Sequence, residues 1–216
     1  MSRTARAALT LVALLHLASA APAQDAFSIE GRYERLSSPQ ATVNPDKIEV
    51  VELFWYGCPH CNRFQPHIDP WQKQKPDYVE FVRMPAVFRE SWETHARAYY
   101  AALALGVLEK IHAPLFAAIH GQNRSLDTRD ALEKFFVEQG VPAEEFRRAY
   151  DSFGVDSGVR RSKVMQGRYG IRGVPAVVVN GKYRVSGSVA GSYENMIKVI
   201  DGLVAMERKE MVAKKD

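Results

Sequence analysis

The sequence predicts an α/β domain that is interrupted by an all-α insertion. Two strands flank one helix within residues 48–84, a long block of helical periodicity follows, and a hairpin with a last helix occupies residues 176–211. The length of 216 residues suits one domain with an insertion. The hydrophobic share of 46% and the charged share of 25% are typical of globular proteins and exclude collagen, coiled coil and wholesale disorder.

The first predicted strand passes directly into the first predicted helix. Residues 48–55 (IEVVELFW) are mostly β-branched, aliphatic or aromatic, a pattern typical of a strand buried on both faces of a sheet. Gly57 and Cys58-Pro59 end this run, and a helix is predicted from there to about Lys75 because proline is favoured in the first helical turn. Residues 79–84 predict a second strand, so the two strands are expected to be parallel with a right-handed crossover.

The middle of the chain changes to a helical pattern, and the end returns to strands. The helical block predicts five segments, at 92–105, 108–120, 131–139, from Pro142, and 155–169. Beyond it, the apolar runs 176–179 and 182–185 are joined by Asn180-Gly181, the strongest short signal for a hairpin. Residues 193–211 predict a final amphipathic helix.

Residues 1–23 have the pattern of a secretory signal peptide. Arg3 and Arg6 precede an apolar run at 7–18, and small residues allow cleavage after Ala20 or Ala23. The run is shorter than the roughly 20 residues of a permanent transmembrane helix. An exported protein is therefore expected, and disulfides persist outside the cytosol.

The predicted mature chain divides into three parts. Residues 24–89 form the first part of the α/β domain, 90–169 the helical insertion and 170–216 the second part. Removal of the signal peptide lowers the formal net charge from +4 to +2. A net charge this small does not indicate the basic surface that nucleic-acid binding requires, so no nucleic-acid partner is expected.

The motif Gly57-Cys58-Pro59-His60-Cys61 lies at the predicted junction of strand and helix. A cysteine at a helix N-terminus lies near unpaired N–H groups and the positive end of the macrodipole, which both stabilise the nucleophilic thiolate. Pro59 presets the helical backbone, and His60 adds a nearby cationic or hydrogen-bonding group. We therefore expect a lowered pKa for Cys58. Cys61, one turn along, is expected to be shielded and to act as the resolving thiol.

Other uses of the two cysteines are alternatives to redox chemistry. A static Cys58–Cys61 bridge would close so short a loop that it removes little entropy from the unfolded chain. Zinc binding with His60 or His67 would rest on only two sulfurs in one short loop, which is poor tetrahedral geometry. Covalent haem attachment requires histidine directly after the second cysteine, where Asn62 stands instead.

Three segments in order resemble the DsbA family of periplasmic thiol:disulfide oxidoreductases. They are residues 52–61 (ELFWYGCPHC), 172–176 (RGVPA) and 180–183 (NGKY). The resemblance extends over essentially all of the predicted mature chain, including the insertion. It implies a thioredoxin fold with an inserted all-α helical domain, and a periplasmic location.

The resemblance also implies roles for individual residues. Cys58 matches the nucleophile that forms the mixed disulfide with substrate, and Cys61 the thiol that resolves it. Pro175 matches a cis-proline that faces the motif, and the backbone of Val174 before it would pair with a bound peptide. About 5–6% of X-Pro bonds in folded proteins are cis, so this bond is expected from the resemblance alone.

A buried acid is the next expected site residue. Glu52 lies within an apolar strand and is expected to point into the interior beneath the motif, where an isolated carboxylate is costly. Its family counterpart takes part in proton transfer with the thiols, near a basic residue of the next strand. That position holds Arg83 here, in place of lysine. Arginine stays charged, so Arg83 can pair with Glu52 but cannot exchange a proton; a purely structural ion pair is the alternative.

The expected function is that of an oxidase for protein thiols. The Cys58–Cys61 disulfide would pass to reduced or unfolded exported proteins through a mixed disulfide at Cys58, which leaves the enzyme as a dithiol. The resemblance implies reoxidation by a DsbB-like membrane quinone reductase. We expect no metal and no organic cofactor, and a monomer.

Two other functions are kept as alternatives. A disulfide isomerase or reductase of the same fold would usually carry a separate dimerisation domain before the catalytic one, for which residues 24–47 give no room. A thioredoxin-like binding module or holdase would use its groove without turnover, and would keep its function after Cys58→Ser.

Further histidines and aromatic residues have no decisive pattern. Four histidines are expected to be surface or hydrogen-bonded helical residues rather than ligands: His67, His95, His112 and His120. Three aromatic residues flank the motif and belong either to a substrate groove or to the core: Trp55, Tyr56 and Phe64.

Overall fold

The computed structural model describes residues 27–213, and the predicted signal peptide lies outside the described residues. The strands are β1 (Glu34–Arg35), β2 (Ile48–Phe54), β3 (Val79–Pro85), β4 (Ala176–Val179) and β5 (Tyr183–Ser186). The helices are α1 (Pro59–Gln74), α2 (Glu90–Ala104), α3 (Leu108–Phe116), α4 (Arg129–Glu138), α5 (Ala143–Tyr150), α6 (Phe153–Arg168), α7 (Gly187–Ala190) and α8 (Tyr193–Ala213). Within the described part of the chain, no helix is both long and apolar enough to cross a bilayer.

One mixed sheet of five strands organises the α/β part. Its strand order is β1-β5-β4-β2-β3. The β2 and β3 strands are parallel, as the strand–helix–strand pattern predicts, and the other neighbours are antiparallel. The β4–β5 hairpin turns at Asn180 and Gly181, both with positive φ, so the hairpin prediction is confirmed.

The two faces of β2 serve two different cores. All seven of its residues are buried. Val50 packs in the core beneath α1 and α8, whereas Val51 and Leu53 pack on the opposite face with α6. Because side chains alternate along a strand, Glu52 is on the same face as Val50, which is the α1 face. An acid is thus placed under the helix that begins at the motif.

Helices α2 to α6 occupy the chain between β3 and β4 and surround a third apolar core. That core also includes Phe54, Tyr56 and both cysteines. The insertion therefore contacts the motif from one side. The α/β fold class with inserted helices is confirmed.

The structure differs from the sequence predictions in local detail. The predicted helix 108–120 is regular only in α3 and then widens into a π-helical turn at Ala117–Gly121. Single π-turns of this kind frequently occur at functional sites. The short β1 and α7 have too few residues to show a period, which is why the sequence did not predict them.

Candidate active site

Cys58 is the residue at which the buried strand becomes a helix. It is the N-cap of α1 with extended backbone (φ −89°, ψ 115°), and Pro59 occupies the first helical position. The Cys58 N–H donates to the Trp55 carbonyl at 3.0 Å, which closes the turn after β2. The sulfur therefore lies at the end of the helix where unpaired N–H groups collect.

The surroundings of Cys58 favour its thiolate. Its pKa is lowered from the ordinary value of 9.0 to about 6, first by a hydrogen bond from the Cys61 thiol and then, against the opposing effect of burial, by the backbone N–H groups of Cys61 and His60. The charge of His60 makes the smallest contribution. The predicted lowering is thus confirmed, but its main cause is the Cys61 thiol, ahead of the helix N-terminus and His60 that the sequence suggested.

Cys61 lies in the opposite environment. Its side chain is fully buried, and its pKa is raised because burial penalises the charged form. The hydrogen bond to Cys58 and the charges of Cys58 and Glu52 raise it further. Both cysteines are free thiols in the structure. One thiol is poised to ionise at neutral pH, and its neighbour is poised to hold its proton.

A cis-proline segment lies against Cys58. The Val174–Pro175 bond is cis, as the resemblance implies. The Cys58 Sγ–H donates to the Val174 carbonyl at 3.5 Å, so this loop touches the Cys58 sulfur. A groove of about 840 Å³ opens beside it, lined among others by His60, Val174, Pro175 and Tyr193.

His60 lies on the exposed rim of the motif. The Arg63 guanidinium, one helical turn along, donates to its Nδ1 at 2.9 Å. The Tyr193 hydroxyl approaches the same nitrogen at 3.4 Å. Because arginine can only donate, Nδ1 is the acceptor in this contact.

Glu52 lies in the interior, as expected. Arg83, its register neighbour on β3, donates from Nε to Glu52 Oε2 at 3.0 Å and from Nη2 to Asp69 at 2.5 Å. Burial raises the pKa of Glu52, an effect that the charge of Arg83 and the amide of Gln65 oppose. The same burial raises the pKa of Asp69.

Three site neighbours were not singled out for this role by the sequence. Gln65 donates to Glu52 Oε1 at 2.8 Å, His112 Nε2 lies 3.1 Å from Gln65 Oε1, and the Tyr56 hydroxyl lies 2.9 Å from His112 Nδ1. Gln65 and Tyr56 flank the motif in sequence, but His112 comes from α3. Only the folded chain brings α3 over β2, so no spacing rule could have found this contact.

The aromatic residues near the motif divide between core and surface. Tyr56 and Phe64 are fully buried. Trp55 is half-buried and stacks on Trp92 at 4.1 Å between ring centroids. A Cβ at position 57 would lie 2.3 Å from the Trp55 ring, so only glycine fits there.

The remaining histidines have ordinary polar partners. His95 is buried and bonds the Leu126 carbonyl, and burial lowers its pKa. His120, on the π-helical turn, bonds the Tyr56 carbonyl at 2.7 Å. His67 is 3.7 Å from the carboxylate of Glu194. These three are hydrogen-bonded or paired, as the sequence analysis expected.

A Cys-x-x-Cys motif at a strand-to-helix junction, facing a cis-proline, defines a thiol:disulfide oxidoreductase of the thioredoxin fold. A DSBA-like thioredoxin domain matches residues 49–195. The thiol:disulfide interchange protein DsbA of Pseudomonas aeruginosa is 41% identical over 204 residues, which are 93% of this chain and 96% of the relative. The Burkholderia cepacia DsbA is 41% identical over 189 residues, or 87% and 88% of the two chains.

A solved structure agrees with the sequence relatives. The crystal structure of Pseudomonas aeruginosa DsbA matches with a TM-score of 0.80 and 40% identity, over 86% of this chain and 95% of that one. The chain belongs to the DsbA family of thiol:disulfide interchange proteins. It is a protein disulfide oxidoreductase, and its predicted fold and family are confirmed.

Proposed function

We propose that the oxidised protein donates its Cys58–Cys61 disulfide to reduced cysteines of newly exported proteins. The observation that carries this proposal is the opposite displacement of the two thiol pKa values, lowered to about 6 for Cys58 and raised for Cys61. A stabilised Cys58 thiolate stabilises the reduced enzyme, and this makes the disulfide a stronger oxidant.

The proposed reaction has two exchange steps. A substrate thiolate attacks the Cys58 sulfur, the Cys58–Cys61 bond breaks, and Cys61 leaves as a thiolate that takes up a proton. The second substrate thiolate then attacks the substrate sulfur of the mixed disulfide, and Cys58 leaves as a thiolate. Two electrons pass from the substrate to the enzyme, and the enzyme ends as a dithiol. The low pKa of Cys58 makes it the better leaving group in the second step.

We assign peptide binding to the cis-proline segment and the groove beside it. The Val174 carbonyl is within 3.5 Å of the Cys58 sulfur, so a peptide paired with this backbone would hold its cysteine next to the nucleophile. Pro175 lies in the wall of the same groove. Positioning of this kind raises the reaction rate, because the entropy of orienting the two sulfurs is lost on binding and not in the chemical step.

Glu52 is assigned to proton transfer with Cys61. Its carboxyl is buried and its charge bears on the pKa of Cys61. Burial raises its pKa, which brings the group towards the range in which it can both give and take a proton. Arg83 stays charged and holds the carboxyl in place rather than exchanging a proton.

Location, oligomeric state, domain bounds and the reoxidising partner complete the proposal. We propose a periplasmic monomer with a cleaved signal peptide at 1–23 and a helical insertion at 90–169. Because the reaction consumes the disulfide, a partner must remove two electrons from the dithiol. We propose a DsbB-like membrane quinone reductase for that step.

The decisive experiment compares two serine variants against a peptide whose single cysteine is activated as a mixed disulfide. The Cys61→Ser variant is expected to accumulate a covalent mixed disulfide when it is offered a peptide activated as a mixed disulfide, because the resolving thiol is absent. The Cys58→Ser variant, its matched control, is expected to trap none. Mass spectrometry of the intact adduct identifies the linked residue, and trapping at position 61 in Cys58→Ser at the same rate would contradict the assignment.

Direction of electron flow is tested with the unmodified protein. The oxidised protein is expected to oxidise a reduced peptide with two cysteines nearly to completion when the two are mixed in equal amounts. A mixture in which the peptide stays reduced and the enzyme stays oxidised would favour the reductase or isomerase alternative. Peptide binding that persists unchanged in Cys58→Ser without any turnover by the parent protein would favour the binding module.

A further inference from the structure

A continuous chain of side-chain hydrogen bonds links the helical insertion to the buried acid. It runs from the Tyr56 hydroxyl to His112, from His112 to Gln65, and from Gln65 to Glu52, with successive distances of 2.9, 3.1 and 2.8 Å. Tyr56 and Glu52 are fully buried, and Gln65 and His112 are at most 7% exposed. We call these four residues the Tyr56–Glu52 chain.

The chemistry of the groups fixes the direction of every link. The amide of Gln65 presents its N–H to Glu52 and its carbonyl oxygen to His112. A carbonyl oxygen only accepts, so the His112 proton is on Nε2. Burial lowers the pKa of His112 well below its ordinary value and keeps the ring neutral, so Nδ1 has a free lone pair and accepts from the Tyr56 hydroxyl.

Both oxygens of Glu52 therefore face donors. Arg83 Nε donates to Oε2, and arginine has no other option. Oε1 faces the Gln65 N–H. A proton on Oε1 would face that N–H, so two donors would oppose each other. The conflict would end only if the Gln65 amide rotated to present its carbonyl oxygen to Oε1. His112 would then face an N–H donor and would have to move its own proton to Nδ1, where the tyrosine hydroxyl already donates.

We propose that His112 is a positioning residue for Glu52: through the Gln65 amide it aims an N–H at the Glu52 carboxylate and opposes protonation of that oxygen. The inference rests on the proposed role of Glu52 in proton transfer with Cys61. It gives the helical insertion a part in the redox chemistry, because α3 supplies the residue that orients the amide. Arg83 then stabilises the carboxylate by its charge, and Gln65 stabilises it by the N–H that points at Oε1.

Other charged and titratable groups around Glu52 act in parallel with this chain. Arg83 on β3 favours the carboxylate, and Asp69 on α1 opposes it. Cys61 on α1 and Tyr99 on α2 also feel the Glu52 charge. All of them remain when only His112 is changed, so the chain can be tested separately.

Three variants separate the effects of His112 and Tyr56 on the protonation of Glu52. His112→Leu fills much of the same volume and cannot donate, so the Gln65 amide is free to turn and accept a proton from Glu52. His112→Gln can donate an amide N–H to Gln65 and accept from Tyr56, so it is the conservative rescue. Tyr56→Phe removes the outer donor but leaves the His112 Nε2–H aimed at Gln65, and it serves as the control for disturbance of the same core.

The readout is the carboxyl carbon of Glu52, followed by ¹³C NMR over a pH titration of the reduced protein and assigned by its loss in Glu52→Gln. In His112→Leu the ratio of carboxylate to acid at a given pH is expected to fall about tenfold, a displacement of roughly one pH unit. His112→Gln is expected to recover that ratio to within about threefold, and Tyr56→Phe to change it by less than about threefold.

A second measurement needs no substitution. The ¹⁵N shifts of His112 in the parent protein are expected to show the proton on Nε2. A proton on Nδ1 overturns the proposal, even where His112→Leu fails to fold. An unchanged Glu52 titration in folded His112→Leu also overturns it. Both readouts are independent of turnover, so they remain valid if the peptide-oxidation experiment contradicts the proposed function.

Discussion

Two cysteines one helical turn apart occupy opposite environments in this protein. Cys58 caps α1, touches the Val174 carbonyl and receives hydrogen bonds from the Cys61 thiol and two backbone N–H groups. Cys61 is enclosed by the core and lies near the buried charge of Glu52. Three residues of separation thus give one thiol a lowered pKa and the other a raised one.

The two pKa shifts share one interaction, to which burial adds the larger part of the rise at Cys61. The Cys61 thiol donates to Cys58, which lowers the pKa of the acceptor and raises that of the donor. The backbone N–H groups of Cys61 and His60 and the charge of His60 also lower the Cys58 pKa. In the proposed reaction, this asymmetry separates attack and departure at Cys58 from proton uptake at Cys61.

The largest expected effect is the difference in alkylation between the two thiols of the reduced protein. At pH 7 Cys58, with a pKa of about 6, is roughly 90% thiolate, whereas Cys61, with a pKa above 9.0, is below about 1%. Iodoacetamide is expected to modify Cys58 at least about 100-fold faster, with a midpoint near pH 6, as read by peptide mass spectrometry. Equal alkylation rates at the two sites would contradict the difference between the two thiol environments.

A second prediction breaks the link between the thiols. Cys61→Ala removes the hydrogen bond from the Cys61 thiol, which is the largest cause of the low Cys58 pKa. The Cys58 thiolate fraction at pH 6 is therefore expected to fall about tenfold. Cys61→Ser keeps an O–H that can donate and is expected to retain most of the shift. The pH dependence of Cys58 alkylation measures both variants, and a midpoint near 6 in Cys61→Ala would assign the shift to the helix N-terminus instead.

Much of this arrangement was predictable because it is local in sequence. The apolar run of β2, the break at Gly57 and the proline at position 59 predict a nucleophile at a helix start, and the structure places Cys58 there. The apolar strand around Glu52 likewise predicts that this acid points into the interior. These features depend on periodicity and on one residue's backbone preference, which a single sequence displays.

The rest depends on packing between distant segments. His112 reaches the site from α3, and Asp69 meets Arg83 across α1 and β3. Neither contact has a fixed spacing, so neither was predicted. The largest cause of the Cys58 shift was also missed. The sequence suggested the helix N-terminus and His60, whereas the hydrogen bond from Cys61 depends on how the first turn closes.

A third prediction uses the comparison between reduced and oxidised protein. Cys58 is an acid with a lowered folded-state pKa, so its stabilisation of the reduced form is complete above the unfolded value near 9.0 and is lost as pH falls through about 6. Between pH 5 and pH 7 the reduced form is expected to gain about 1 kcal/mol over the oxidised form, which has no titrating Cys58. Denaturant unfolding of both forms at each pH measures the difference. A difference that stays constant over this range would show that Cys58 does not ionise near pH 6.

The smallest expected effect belongs to His60. Its side chain is exposed and its charge ranks last among the causes of the Cys58 shift, whereas its backbone N–H contributes more and survives substitution. His60→Ala is therefore expected to lower the Cys58 thiolate fraction at pH 6 by only about threefold or less, because exposed charges are screened by water and salt. His60→Gln, which keeps a polar side chain, is the matched variant.

Raising the ionic strength to about 1 M, where the Debye length is about 3 Å, is expected to remove most of the remaining difference between His60→Ala and the parent protein. An effect of His60→Ala larger than that of Cys61→Ala would reverse the ranking and make the rim histidine, rather than the buried thiol, the main source of the low Cys58 pKa.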